Sequence, residues 1–187
     1  MELSEKDLQF VDLALIDPRI IIEMRYASEN NFLRVPLYPV NKCFLRRKVA
    51  HKLSTVQDWL EKRGKRLKIF DGYRPLHVQR KFWEFLPDER YVASPEKGSV
   101  HNRGAAVDLT LLDSSGYEVM MPTAFDDFTE KAHWAFYDLS VEALANRALL
   151  RRAMELRGFN IHPHEWWHYN DVDWKMYPIE DVKLEDL

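Results

Sequence analysis

The stretch from Ser99 to Asp108, S-V-H-N-R-G-A-A-V-D, indicates the fold of this chain together with the E-W-W-H sequence that ends at His168. His101, Asp108 and His168 offer two imidazoles and one carboxylate. A catalytic zinc ion uses three protein ligands when its fourth position is left to water or substrate. A structural zinc site normally has four ligands, often cysteines, and the chain has only Cys43. The pattern predicts a mononuclear zinc hydrolase.

Glu165 lies three residues before His168 and is the natural general base of such a site. A catalytic zinc ion lowers the pKa of its water to about 7, and a nearby carboxylate takes the proton during attack on a carbonyl. Residues three apart on a flat strand point to opposite faces. We therefore expect a bend or bulge near Trp166 and Trp167 that lets both side chains reach one metal.

The residues around the first motif favour a loop followed by a strand. Gly104 interrupts the motif, and the sequence V-D-L-T-L-L that follows is rich in strand-forming residues. His101 is therefore expected in the loop and Asp108 on the strand.

The rest of the chain predicts an α+β domain with a mostly antiparallel sheet flanked by helices. No repeat or long linker divides the sequence, so residues 1–187 are treated as one domain. Apolar spacing and strand-forming residues predict strands over 19–26, 67–70 and 106–112, and helices over 45–60, 75–85 and 141–157. In the second helix, Val78, Phe82 and Phe85 are expected on one side.

The composition narrows the class of partner. A net charge of -3 and a pI near 6.2 provide no basic surface for nucleic acid. No apolar run approaches the ~20 residues of a membrane span, and the first residues lack the layout of a signal peptide. We therefore expect a cytoplasmic protein that acts on a small molecule or peptide, with no membrane partner. The sequence leaves protein partners undetermined.

Three motifs together resemble those of the D-alanyl-D-alanine dipeptidases. The pattern S-x-H-x-x-G-x-A-x-D is matched at every fixed position of 99–108, E-x-W-H is matched at 165–168, and D-G-Y-R-P occupies 71–75. The first pattern is shared with zinc carboxypeptidases, phage endolysins and hedgehog-type domains of the same fold. The other two narrow the resemblance to the dipeptidases, and it extends from about Tyr26 to Tyr169.

The resemblance implies one zinc ion per chain, bound by His101, Asp108 and His168, with Glu165 as the catalytic base. It also implies that Arg74 points its guanidinium at the scissile carbonyl, where a planar, permanently charged donor suits a developing oxyanion. Asp71, three residues earlier, is expected to orient Arg74 through a charge-assisted hydrogen bond. The alternative is a surface ion pair between these two residues.

The resemblance further implies how a dipeptide is recognised. Asp126, which follows Phe125, and Tyr26 in the first predicted strand match the residues that bind the free amino terminus. Ser99 is expected near the substrate carboxylate. A buried acid facing an ammonium group favours a dipeptide over a longer acylated chain. The alternatives are that Asp126 belongs to the first turn of a helix and that Tyr26 is a core residue.

Other histidines carry no such support. His133 is expected on a helix surface, and His162 and His164 in a loop, with no second metal site. Three alternative functions remain: a D,D- or L,D-carboxypeptidase of the same fold, a non-catalytic zinc-stabilised binding module, and a hydrolase of another small amide. The presence of both Glu165 and Arg74 argues against a pure binding module, because binding requires neither.

Overall fold

A computed structural model describes residues 3–187, so Met1 and Glu2 of the predicted domain lie outside the described residues. The helices are α1 (Glu5–Leu8), α2 (Leu13–Ile16), α3 (Arg47–Glu61), α4 (Leu76–Phe85) and α5 (Val141–Glu155). The strands are β1 (Phe10–Asp12), β2 (Ile21–Ile22), β3 (Phe44–Arg46), β4 (Arg66–Asp71), β5 (Ala106–Leu112), β6 (Phe159–His162) and β7 (Glu165–Asp171). Across 3–187, no helix combines the length and apolar character that a membrane crossing requires.

The main sheet has five strands in the order β2-β4-β5-β7-β6. β2 runs parallel to β4, and the other three neighbouring pairs are antiparallel. A second, two-stranded sheet joins β1 to β3. The predicted α+β class with a mostly antiparallel sheet is therefore confirmed.

The two long helices form where the sequence predicted them. The apolar stripe of α3 is fully buried, and Gly64 follows the helix with a positive φ of 66°. The Ser140 side chain accepts a hydrogen bond from the Ala143 N–H at the start of α5, which is the usual role of a serine at this position. α3 packs against β4, and α5 packs against β5 and β6.

Strand register aligns three of the predicted site residues across the middle of the sheet. Asp71 of β4 is paired with Asp108 of β5, and Asp108 is paired with His168 of β7. Because alternate residues of a strand face opposite sides, His168 and Asn170 face away from Asp171, which contacts Lys52 of α3 at 2.5 Å. Three neighbouring strands thus carry polar side chains in a row.

One local prediction is wrong. The strand predicted over 19–26 shrinks to β2, and Tyr26 lies in a short 3-10 helix, Arg25–Ala27. The chain leaves the sheet edge there because the Tyr26 carbonyl accepts hydrogen bonds from the N–H groups of Leu37 and Tyr38, at 2.7 and 2.9 Å. Phe82 and Phe85 lie on one side of α4, as predicted, because both rings pack against Phe32, although Phe85 at the end of the helix is 60% exposed.

Candidate active site

The three predicted metal ligands meet at one point. His101 Nε2 lies 3.2 Å from His168 Nδ1 and 3.3 Å from Asp108 Oδ1, and the remaining distance, His168 Nδ1 to Asp108 Oδ1, is 3.0 Å. All three residues are buried. His101 belongs to a 3-10 turn, His101–Arg103, and Asp108 lies on β5, as the loop-then-strand pattern predicted.

The donor set fits a tetrahedral metal ion. An ion about 2.1 Å from each ligand separates tetrahedral ligands by about 3.4 Å, close to the three distances observed. His101 Nδ1 donates to the Gly72 carbonyl at 2.7 Å, and His168 Nε2 donates to Asn170 Oδ1 at 2.9 Å. Both outer nitrogens therefore carry the proton, and the inner nitrogens present lone pairs to the Asp108 carboxylate. The two inner nitrogens and the Asp108 carboxylate are then three electron-pair donors directed at one point, which a bound cation would stabilise.

Glu165 reaches the same point because β7 is irregular. Ile161 of β6 is paired with Tyr169, but the next residue, His162, is paired with Glu165. Three residues of β7, Trp166–His168, therefore lie between the two pairs, which confirms the predicted bend. Burial, together with the charges of Asp108 and Asp126, raises the pKa of Glu165 well above its usual range.

Arg74 is buried and rigidly held. Its Nε and Nη2 donate to Asp71 Oδ2 at 3.0 and 2.7 Å, and its Nη1 donates to Gln79 Oε1 at 2.8 Å. The guanidinium lies over the Phe82 ring, 4.2 Å from its centroid. Asp71 has no exposed surface, and its Oδ1 accepts a hydrogen bond from the Tyr38 hydroxyl at 2.8 Å. The alternative of a surface ion pair is therefore wrong.

Asp126 lies on an irregular segment beside Tyr26. The Tyr26 hydroxyl donates to its two carboxylate oxygens, at 3.1 and 3.3 Å, and the Phe32 N–H lies 3.4 Å away. Its φ is 62°, a left-handed conformation that residues other than glycine seldom adopt and that often marks functional positions. Burial, followed by the charge of Asp108, raises its pKa to about 8. The alternative of a helical first turn is wrong, because no helix begins there.

One cleft of about 160 Å³ joins these groups. Pockets for drug-sized ligands measure roughly 300–1,000 Å³, so this cleft suits a smaller ligand. Eight of the nine predicted site residues line it, and the ninth, Asp71, lies behind Arg74. The eight are Tyr26, Arg74, Ser99, His101, Asp108, Asp126, Glu165 and His168.

Several supporting residues escaped the sequence analysis. Gln79 and Tyr38 hold Arg74 and Asp71, and Asn170 orients His168. Asn102 donates to the Arg74 carbonyl at 2.7 Å and accepts from the Ser99 N–H at 2.6 Å. Asn102 and Asn170 had a usable signal, since each lies within two residues of a predicted ligand.

Among the histidines given no metal role by the sequence, His162 lines the cleft and His133 lies next to a turn. His162 is the last residue of β6 and lines the cleft, so its assignment to a loop is wrong. Burial, followed by His168 and His164, lowers its pKa to about 3. His133 follows a 3-10 turn, Glu130–Ala132, and its Nε2 lies 3.0 Å from the Tyr91 hydroxyl, so the expected helix surface is also wrong. The 3-10 turn before His133 stays short because the sequence around it lacks the apolar spacing of a longer helix.

This sequence is similar to known dipeptidases. The sequence matches the profile of the peptidase M15 family, described as D-ala-D-ala dipeptidase, over residues 6–183. It is similar to the D-alanyl-D-alanine dipeptidase of Escherichia coli (strain K12), with 34% identity over 171 residues that cover 91% of this chain and 89% of that protein. For the D-alanyl-D-alanine dipeptidase of Enterococcus faecium, the identity is 33% over 172 residues, covering 79% of this chain and 83% of the relative.

Among solved structures, one similar chain is a vancomycin resistance D,D-dipeptidase in complex with a D-Ala-D-Ala phosphinate analogue. The TM-score is 0.44 and the identity 20%, with 88% of this chain and 66% of that chain covered.

Proposed function

Because the chain belongs to the peptidase M15 family of D-ala-D-ala dipeptidases, a family of metallopeptidases, we propose that it hydrolyses D-alanyl-D-alanine to two D-alanines with one zinc ion. The observation that carries the proposal is the convergence of His101, Asp108 and His168 in a cleft that also holds Glu165 and Arg74. Zinc held by these three ligands would act as a Lewis acid, polarising the carbonyl of the substrate and lowering the pKa of water.

Glu165 serves as the proton carrier of the proposed reaction. Its carboxylate takes a proton from the attacking water and then gives it to the leaving amine. A base that must also act as an acid benefits from a pKa above the usual carboxyl range, and the burial of Glu165 has this effect. The side chain is also beside the metal ligands, since its Oε2 lies 3.8 Å from His168 Nδ1.

Arg74 stabilises the developing oxyanion. A guanidinium has five N–H donors, and Asp71 and Gln79 occupy three of them. Two donors therefore remain for the carbonyl oxygen of the substrate. Because the other three are held in place, little reorganisation is needed when the oxyanion forms.

Asp126 and Ser99 recognise the two ends of the dipeptide in this proposal. An unpaired Asp126 carboxyl has a pKa near 8, and a substrate ammonium beside it favours the ionised form. Ser99 Oγ accepts the His101 N–H at 3.2 Å, so its hydroxyl hydrogen is available to the substrate carboxylate. Tyr26 positions Asp126 through its hydroxyl.

The decisive test is D-alanine release by the zinc-loaded protein from D-alanyl-D-alanine and from the same dipeptide with its amine acetylated. Hydrolysis of the free dipeptide alone supports the proposal. Preference for the acetylated form indicates a carboxypeptidase, and cleavage of neither indicates a binding module or a hydrolase of another amide.

The role of Glu165 has its own test in the same assay. We expect Glu165→Gln to keep its zinc and lose about 10²- to 10⁴-fold in kcat, the usual contribution of a general base. The Glu155→Gln variant on α5 is the matched control, because Glu155 pairs with Arg151 at the surface. Substantial residual turnover in Glu165→Gln would remove Glu165 from the mechanism.

A further inference from the structure

Within the described part of the chain, two polar groups of the cleft lack a hydrogen-bond partner, and they face each other. His162 Nδ1 is buried and has no partner in residues 3–187. Among residues 3–187, no group donates a hydrogen bond to the Glu165 carboxylate. The distance from His162 Nδ1 to Glu165 Oε2 is 3.5 Å, and the next nearest imidazole nitrogen, His168 Nδ1, belongs to the metal-ligand set at 3.8 Å.

Such a pair calls for a physical explanation, because buried polar groups in proteins are nearly always hydrogen-bonded. Hydrogen bonds of catalytic groups are often long before substrate binds and shorten in the complex. A separation of 3.5 Å lies just beyond a normal N–H···O hydrogen bond, so a small side-chain rotation closes it.

The backbone keeps the two side chains opposite each other. His162 and Glu165 are register partners at the irregularity between β6 and β7. The same irregularity turns Glu165 towards the metal ligands, so one feature of the sheet places both the base and the imidazole.

We propose that His162 is a positioning residue for Glu165, donating from Nδ1–H to the Glu165 carboxylate. The bond fixes one carboxylate oxygen and leaves the other directed at the attacking water. A base oriented by a third group is a recurrent arrangement in hydrolases. The inference rests on the proposed function, because it assumes that Glu165 is the base. His162 itself transfers no proton.

The test compares two substitutions that separate the donor from the ring. His162→Phe keeps a ring and removes the donor, whereas His162→Asn supplies an amide N–H near the position of Nδ1. We expect His162→Phe to lower kcat on D-alanyl-D-alanine about 10-fold or more with KM within about threefold, since a hydrogen bond to a charged group has an effect of this size. We expect His162→Asn to recover most of kcat.

The matched control is His164→Phe, the same substitution two residues away, outside the cleft lining. We expect it to leave kcat unchanged. Thermal unfolding and zinc content are measured for each variant. The inference is overturned if His162→Phe keeps the original kcat, if Asn and Phe lose kcat equally, or if KM rises while kcat is unchanged.

A substrate-free measurement separates this inference from the proposed function. Nitrogen-15 NMR of the zinc-loaded protein identifies which nitrogen of His162 carries the proton, with His162→Asn used to assign the signal. The Nδ1–H tautomer is expected, and the Nε2–H tautomer overturns the inference even if the dipeptide is hydrolysed. If the unsubstituted protein hydrolyses neither dipeptide, the proposed function fails, and the positioning role falls with it.

Discussion

The two walls of the cleft are built differently. The metal-ligand wall lies on two paired strands and the 3-10 turn that precedes β5. Asp108 and His168 are register partners on the strands, His101 lies in the turn, and each imidazole has an outer hydrogen-bond acceptor. The opposite wall, around Asp126, lies on an irregular segment with a left-handed residue and a carboxyl whose pKa is raised by burial. Paired strands and the turn before β5 thus hold the metal ligands, which need a fixed geometry, and the irregular segment carries the acid expected to select the substrate.

The largest effect should come from removing a ligand on the strand wall. We expect His168→Ala to lose zinc, with a zinc affinity more than about 100-fold weaker. Even the loss of a residue that only hydrogen-bonds to a metal ligand lowers metal affinity about 10- to 100-fold. Metal content after dialysis measures this. His164→Ala, four residues earlier in the adjoining turn, is the control and should retain its metal. Stoichiometric zinc in His168→Ala would contradict the assignment of that ligand.

On the irregular wall, the expected effect is smaller and selective. Asn tolerates a positive φ, so Asp126→Asn keeps the backbone while removing the charge. We expect kcat/KM for the free dipeptide to fall roughly 30-fold or more, because a buried charge would lose its partner. Zinc content should not change. Asp127→Asn is the control, since Asp127 accepts the Thr129 N–H at 3.1 Å and lies outside the cleft lining. An unchanged preference for the free over the acetylated dipeptide would contradict ammonium recognition by Asp126.

The same variant should change stability in a definite pH window. The pKa of Asp126 is raised from the ordinary value near 4 to about 8, so the folded metal-free protein binds a proton that the unfolded chain releases. Its stability therefore falls as pH rises between about 4 and 8. Asp126→Asn should remove part of this fall, and chemical unfolding of the metal-free protein at pH 5 and pH 8 measures it. An equal slope in both proteins would mean that Asp126 is not protonated when folded.

The contrast between the walls also explains what the sequence could predict. His101, Asp108 and His168 were predictable because short motifs contain them and because two of the three lie on strands, and the irregularity of β7 followed from the spacing of Glu165 and His168. Tyr26 is 100 residues from Asp126, and no local pattern records their contact.

The incorrect strand over 19–26 has the same origin. Its β-branched residues favour a strand, but pairing with β4 at the sheet edge extends over Ile21 and Ile22 and ends with the Glu23 N–H, which donates to the Ile69 carbonyl. The 3-10 helix that follows is determined by hydrogen bonds from Leu37 and Tyr38 to the Tyr26 carbonyl. These contacts depend on how a long loop returns to the sheet. The same holds for Gln79, whose contact with Arg74 arises from the turn between β4 and α4.

The smallest expected effect tests how tightly the strand wall is packed at Gly72, whose carbonyl orients His101. A Cβ at this position would lie 2.6 Å from Cys43 Sγ, and both residues are buried. We expect Gly72→Ala to lower the free energy of unfolding by about 1–3 kcal/mol, the usual cost of overpacking. Replacing Cys43 with Ala in the same chain should recover part of the loss, because its sulfur is the nearest obstructing atom, while the Phe44 carbonyl oxygen at 3.1 Å stays in place. The single variant Cys43→Ala completes the double-mutant cycle. Gly116→Ala is unsuitable as a control, because the φ of Gly116 is 87° and alanine would be strained there. Additive losses in the double variant would show that the strand wall relieves the clash at an atom other than the Cys43 sulfur.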